Sequence, residues 1–462
     1  MNMNNKKDIS RRDFLKLFSN SIIATGAFMY GCSPSKKNSV KPQLSDNNTP
    51  TGNMTYRENP STKDRVSLLG YGCMRWPIKE SHEWNENPID QEEVNKLVDY
   101  ALAHGVNYFD TAPVYNEGFS EKSTGEALRR HPRDKYYIAT KMSNFSDWSR
   151  ECSIKLYEKS FKELQVDYID YYLLHAVGGG DDGMKMLHDR FLDNGILDYL
   201  LKEREAGRIR NLGFSFHGDV NVFDYLLAMD VKWDFVQIQL NYIDWKHASR
   251  GNVNADYLYG ELQKRGIPVV IMEPLLGGML ASLNDHIVQN LKQLRPNDSN
   301  AAWAFRYAGS LKDVLTVLSG MTYMEHLQDN LKTFSPLVPI TEKEKDVLEE
   351  TAMEILQYPL VPCTQCEYCM PCPYEINIPA IFKHYNKCVN EGNVSLTAKD
   401  ENYKKARKAF LIGYDRSVPK LEQASRCVGC GKCKSHCPQK IDIPSELLRI
   451  DEYVEKLRQN RL

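Results

Sequence analysis

Short apolar runs recur along the middle of this 462-residue chain, and stretches with helical spacing of apolar residues separate them. The strand-like runs are Val66–Leu69, Asn107–Asp110, Tyr136–Thr140, Tyr168–Leu174, Ile209–Phe214, Phe235–Leu240, Val269–Met272 and Val314–Leu318. Strands that alternate with helices imply parallel βαβ units. Eight such units in about 270 residues match a (β/α)8 TIM barrel. Thr55–Arg57, ahead of the first run, suits a small hairpin that closes the barrel bottom. An open, doubly wound sheet is the competing α/β architecture, but no G-x-G-x-x-G follows the first run, which weakens it. The expected organisation is a barrel over residues 54–340 and a small, mainly helical domain over 341–462.

Composition narrows the class only a little. A formal net charge of -2 gives no general reason to expect a nucleic-acid partner, and 42% hydrophobic residues describe an ordinary globule. No internal stretch reaches the ~20 apolar residues that span a bilayer. The N-terminus reads differently. Lys6 and Lys7 lead into Arg11-Arg12-Asp13-Phe14-Leu15, a weakly apolar stretch runs from Leu17 to Tyr30, and Gly31-Cys32 closes it. A basic region followed by a short apolar one is an export signal rather than structure. The paired arginines resemble the twin-arginine signal, a receptor-read address. That resemblance implies an exported, periplasmic protein with its signal over residues 1–32, and Gly31-Cys32 resembles a lipoprotein cleavage site, which implies a membrane anchor through Cys32. Residues 33–53 are polar and read as a flexible linker.

Barrel chemistry belongs at the C-terminal ends of strands. There the second run ends in Asp110, with Tyr115 a few residues on, the third run leads to Lys141 and the fourth to His175. A carboxylate, a phenol, an ammonium and an imidazole thus converge on one mouth. Asp110 holds Lys141 charged, and the ammonium is expected to lower the pKa of the Tyr115 phenol. Tyr115 then donates a proton to a carbonyl oxygen as hydride reaches the carbon, while His175 orients that carbonyl.

Eight cysteines crowd the C-terminal end: Cys363, Cys366, Cys369 and Cys372, then Cys427, Cys430, Cys433 and Cys437. The second run reads C-x2-C-x2-C-x3-C-P, the spacing by which a loop wraps a [4Fe–4S] cube. Zinc is less suited, because its sites pair two C-x2-C hooks rather than chaining three. In two-cluster ferredoxins the fourth cysteine of each run ligates the other cluster. That assigns Cys363, Cys366, Cys369 and Cys437 to one cube and Cys427, Cys430, Cys433 and Cys372 to the other. The first run is one residue short between Cys369 and Cys372, so one cluster and two both remain open.

The segment from Gly105 to Tyr115, Gly-Val-Asn-Tyr-Phe-Asp-Thr-Ala-Pro-Val-Tyr, resembles the signature of the aldo/keto reductases, and Tyr168–His175 resembles their fourth strand. The resemblance covers roughly Met54 to Leu337, and the C-terminal extension resembles the iron–sulfur subgroup. It implies a catalytic tetrad of Asp110, Tyr115, Lys141 and His175, and an extended nicotinamide cofactor, NAD(P)H. By the same resemblance Ser215 and Gln237 hold the carboxamide, Leu275 and Gly277 line the pyrophosphate path, and Asn330 approaches the adenine. Gly320 and His326 stand where NADPH-preferring relatives carry cations, so NAD and NADP stay undecided.

The leading function is therefore an oxidoreductase that interconverts a small carbonyl compound and an alcohol, with an electron-transfer domain attached. Hydride carries two electrons and a cube accepts one, which calls for a flavin or a partner redox protein, or for clusters that are only structural. The alternative is a non-catalytic or regulatory barrel with structural clusters.

Overall fold

The computed structural model describes residues 52–79, 81, 86–180, 182–248 and 252–462. The basic N-terminal signal, Cys32 and the linker up to residue 51 lie outside them. Two short strands, β1 (Tyr56–Glu58) and β2 (Arg65–Ser67), pair antiparallel. Eight more close a parallel barrel in chain order. They are β3 (Leu69–Gly72), β4 (Tyr108–Asp110), β5 (Tyr137–Met142), β6 (Ile169–Val177), β7 (Ile209–Phe216), β8 (Phe235–Gln239), β9 (Val269–Met272) and β10 (Val314–Ser319). A helix follows each strand, and β10 pairs back onto β3.

The first expected strand is corrected. Val66–Leu69 reads as one apolar run, yet it divides at Leu68 between two partners. The Leu68 amide donates to Thr55 O at 2.8 Å, still within the hairpin, while its carbonyl accepts from Val317 of β10 at 2.8 Å. Apolar pattern registers that a strand is buried but not which neighbour it pairs with.

Barrel strands are buried on both sides. Tyr108, Tyr171, Leu173, Phe235 and Val270 fill the interior, whereas Phe109, Tyr172, Leu174, Val236 and Ile271 pack under the helices. Polar groups seal the N-terminal end. Arg210 bridges Asp64 at 2.9 Å and Asp170 at 3.0 Å, and the Tyr171 hydroxyl donates to Asp64 at 3.0 Å. This ties the hairpin loop across the barrel bottom and leaves the other end for chemistry.

Beyond the barrel, the helix Glu342–Ile355 opens with a capping box, Thr341 and Glu344. It packs Leu348, Ala352 and Ile355 against the barrel-mouth residues Ile243, Leu276 and Leu280. Three further helices, Ile378–Asn390, Tyr403–Ser417 and Ile443–Arg458, build a second core from Phe382, Phe410, Tyr414, Ile450 and Val454. Among the described residues no helix is long and apolar enough to cross a membrane.

Glu121 locks the helix Ser120–Leu128 to the barrel by accepting from Thr140 Oγ1 at 2.6 Å. Burial pushes its carboxyl up from 4.5 to about 7. Between those two values the folded chain binds more protons than the unfolded one, so stability falls as pH rises through this window. Glu121→Gln keeps the acceptor and removes the titration. Its melting point relative to the wild type, measured anaerobically, is expected to climb from pH 5 to pH 8, by a margin worth at most about 3 kcal/mol. A pH-independent difference would contradict this account.

Candidate active site

Asp110 closes β4 and Lys141 lies on β5, so the barrel's parallel register places both at the mouth. The Lys141 ammonium donates to Asp110 Oδ1 at 2.6 Å and to Thr111 O at 2.7 Å. Their side chains are only 1% and 4% exposed. Burial raises the Asp110 carboxyl above its ordinary range, and the neighbouring ammonium opposes that shift. The second carboxylate oxygen, Oδ2, is buried without a hydrogen-bond partner.

Tyr115 follows β4 in a tight turn whose next residues, Asn116 and Glu117, have φ of 48° and 57°. Left-handed backbone at two successive non-glycine residues is uncommon and costs free energy. Thr111 and Ser120 hold the turn, their hydroxyls 2.8 Å apart, and Ser120 donates onward to Cys73 O at 2.8 Å. The Tyr115 ring sits 5.0 Å from the Lys141 ammonium. The expected lowering of its pKa is corrected. Burial dominates, and with the neighbouring Tyr368 and Asp110 it pushes the phenol well above 10. Tyr115 therefore holds its proton at neutral pH, which suits a proton donor.

His175, on β6, is buried, and its ring contacts the Ser143 hydroxyl through Nδ1 at 2.5 Å. Burial first, then Lys141 and Arg190, hold the imidazole well below its usual pKa, so the ring is neutral. A neutral ring carries one N–H, so it donates in just one of its two contacts. The second contact comes from the C-terminal region. The Tyr368 hydroxyl lies 3.1 Å from His175 Nε2 and also faces the Tyr115 hydroxyl. Its ring packs on Phe145, with centroids 5.8 Å apart.

The residues expected to hold a nicotinamide meet mixed fates. Ser215 Oγ accepts from Ala176 N at 2.8 Å. Gln237 donates to Met272 Sδ at 3.5 Å, and its buried carbonyl oxygen lacks a partner. Asn330 donates to Ser319 at 2.9 Å. Leu275 stands at the β9 turn against the barrel-mouth cluster. Gly277 has φ 68°, and a Cβ there would lie 2.3 Å from the Thr364 Cα. Gly320 lies beside Arg75, whose guanidinium donates to Thr364 O at 2.6 Å. The pyrophosphate path assigned to Gly277 is therefore filled by the chain itself.

The cysteine thiols gather in two groups. Cys363, Cys366 and Cys369 neighbour Cys437, Cys433 neighbours Cys372, Cys427 and Cys430, and Cys369 also neighbours Cys433 across the two groups. Among the described residues no three potential ligands are close enough for a single metal ion. Two four-thiol groups fit the donor chemistry of iron–sulfur cubes. Cys388 stands apart, buried beside His384.

The aldo/keto reductase family model matches residues 68–352. The chain belongs to the aldo/keto reductase family. A 4Fe-4S dicluster domain model matches residues 362–441. This aldo/keto reductase is 24% identical over 315 residues to L-galactose dehydrogenase of Arabidopsis thaliana, covering 63% of this chain and 91% of that protein. It is 23% identical over 333 residues to the NADH-specific methylglyoxal reductase of Escherichia coli, covering 62% and 95%. The holo form of aldo-keto reductase AKR11C1 from Bacillus halodurans shares the fold, with a TM-score of 0.51 and 23% identity over 64% of this chain and 96% of that one.

Tyr368, Arg75 and Ser143 join the site although sequence reasoning passed them over. Tyr368 sits between Cys366 and Cys369, where spacing draws attention only to the thiols. Trp76 is buried and donates to Thr124 at 3.0 Å, and Trp245 rests on Tyr259 and Tyr307.

Removing Lys141 strands a buried carboxylate. Lys141→Met is expected to cost about 3–5 kcal/mol, read as a lowered melting point under anaerobic conditions, and Asp110→Asn added to it should recover part of the loss. A double variant less stable than the single would refute the pairing.

Proposed function

We propose that the barrel interconverts a small carbonyl compound and an alcohol, with Asp110, Tyr115, Lys141 and His175 as its working residues. The observation that carries this is the convergence of a protonated Tyr115 and a neutral His175 on one point beside the buried Lys141–Asp110 pair. Tyr115 gives its proton to the carbonyl oxygen, or recovers it from the alcohol. His175 orients that oxygen without adding a charge, because its ring stays neutral. Lys141, fixed by Asp110 and Thr111, stabilises the negative charge that the phenol gains on losing its proton.

The C-terminal thiols support two clusters, and iron–sulfur cubes bound there exchange single electrons. We read the ligand sets as crossed between the runs, as the thiol groups suggest. Cys363→Ser and Cys437→Ser should each lower bound iron from about eight to about four atoms per chain and leave one paramagnetic signal. Cys372→Ser and Cys430→Ser should leave the other signal. If Cys437→Ser and Cys433→Ser lost the same signal, the crossing would be wrong.

One observation favours the second reading, a barrel that binds without catalysis: the Tyr368 hydroxyl occupies the point where a reacting oxygen belongs. Tyr115→Phe separates the two. Carbonyl reduction, assayed anaerobically with reduced viologen and separately with NADH and NADPH, should fall by at least about 100-fold for an enzyme. A binding module would keep its ligand affinity and show no turnover in either form.

A further inference from the structure

The segment Cys363–Cys369 does two jobs at once, since it carries three thiols of one group and reaches into the barrel mouth. Thr364 presses its backbone into the cradle at Gly277, where any side chain would collide. Arg75 is a cation placed beside Gly320, where a phosphate-binding cation would be useful, but it is spent on Thr364 O. Tyr368, flanked by Cys366 and Cys369, puts its hydroxyl against His175 and Tyr115. One short loop thus covers the pyrophosphate path at one end and the reacting position at the other.

The attachment is broad. Gln239 and Gln439 exchange side-chain hydrogen bonds at 3.2 and 2.8 Å. Asn390 donates to Ser282 O at 2.9 Å and accepts from Asn284 at 2.9 Å. Lys440 pairs with Asp219. Tyr358 and Leu360 pack on the apolar cluster around Leu276 and Ile355. A dinucleotide would have to displace Thr364 from Gly277 and Arg75, and Tyr368 from His175, to enter.

We infer that the loop Cys363–Cys369 is the resident occupant of the nicotinamide channel, so that this chain binds no nicotinamide cofactor. The inference rests on reading the barrel mouth as the carbonyl site.

The test uses the full chain, purified anaerobically with its clusters intact. NADH and NADPH are titrated separately by calorimetry and by intrinsic fluorescence, and hydrogen exchange is followed over residues 275–278 and 364–368. No saturable signal is expected up to about 1 mM, the upper end of ordinary enzyme–ligand affinities. Exchange in both segments is expected to be unchanged by either nucleotide. Saturable binding of either one overturns the inference, whether it arrives with new protection at 275–278 or with faster exchange at 364–368, the sign of a loop that opens as a gate. The two proposals fail separately. Nucleotide binding with an inactive Tyr115→Phe sinks this one alone, and no binding with an active Tyr115→Phe sinks the tetrad reading alone.

Discussion

Two opposite charges buried together at the end of a barrel must satisfy each other, because water is not there to do it. Lys141 meets that demand with Asp110 and the Thr111 carbonyl, and the geometry of the mouth follows from it. The ammonium is fixed under the Tyr115 ring and contributes to keeping His175 neutral. The parallel register sets Asp110 opposite Ala139, with Lys141 two residues further on along the next strand, so the pair is as much a product of register as of charge.

Burial also decides protonation. An ammonium beside a phenol favours phenolate, but a desolvated phenol facing a second phenol and a carboxyl favours the neutral form, and here the second effect wins. The result is a mouth with a proton to give and an imidazole that adds no charge. A developing negative charge on oxygen would find both groups within reach.

The C-terminal region is not a pendant on this barrel. Its first cysteine run is part of the mouth, through Thr364 at Gly277 and Tyr368 at His175. The glycine tolerates this because it lacks a Cβ and adopts φ 68°, which a larger residue would resist. A feature that favours close approach of a phosphate backbone favours close approach of a peptide backbone equally well. The same residue can therefore signal a cofactor in the sequence and hold a protein loop in the fold.

The barrel was legible because apolar runs at regular intervals and strand-end residues obey local rules. Asp110, Tyr115, Lys141 and His175 could be named from the ends of those runs, and the eight cysteines from spacing alone. The Val66–Leu69 run was misjudged because pattern reports burial and not partnership. Tyr368, Arg75 and Ser143 stayed hidden because their roles depend on neighbours far away in the chain; Arg75 and Thr364 are 289 positions apart. Sequence by itself determined the fold class and named the strand-end residues and cysteines as candidates, all carried by short-range pattern. Only the tertiary structure decided what fills the channel beside the tetrad, because two distant segments compete for that space and their contact is written in neither.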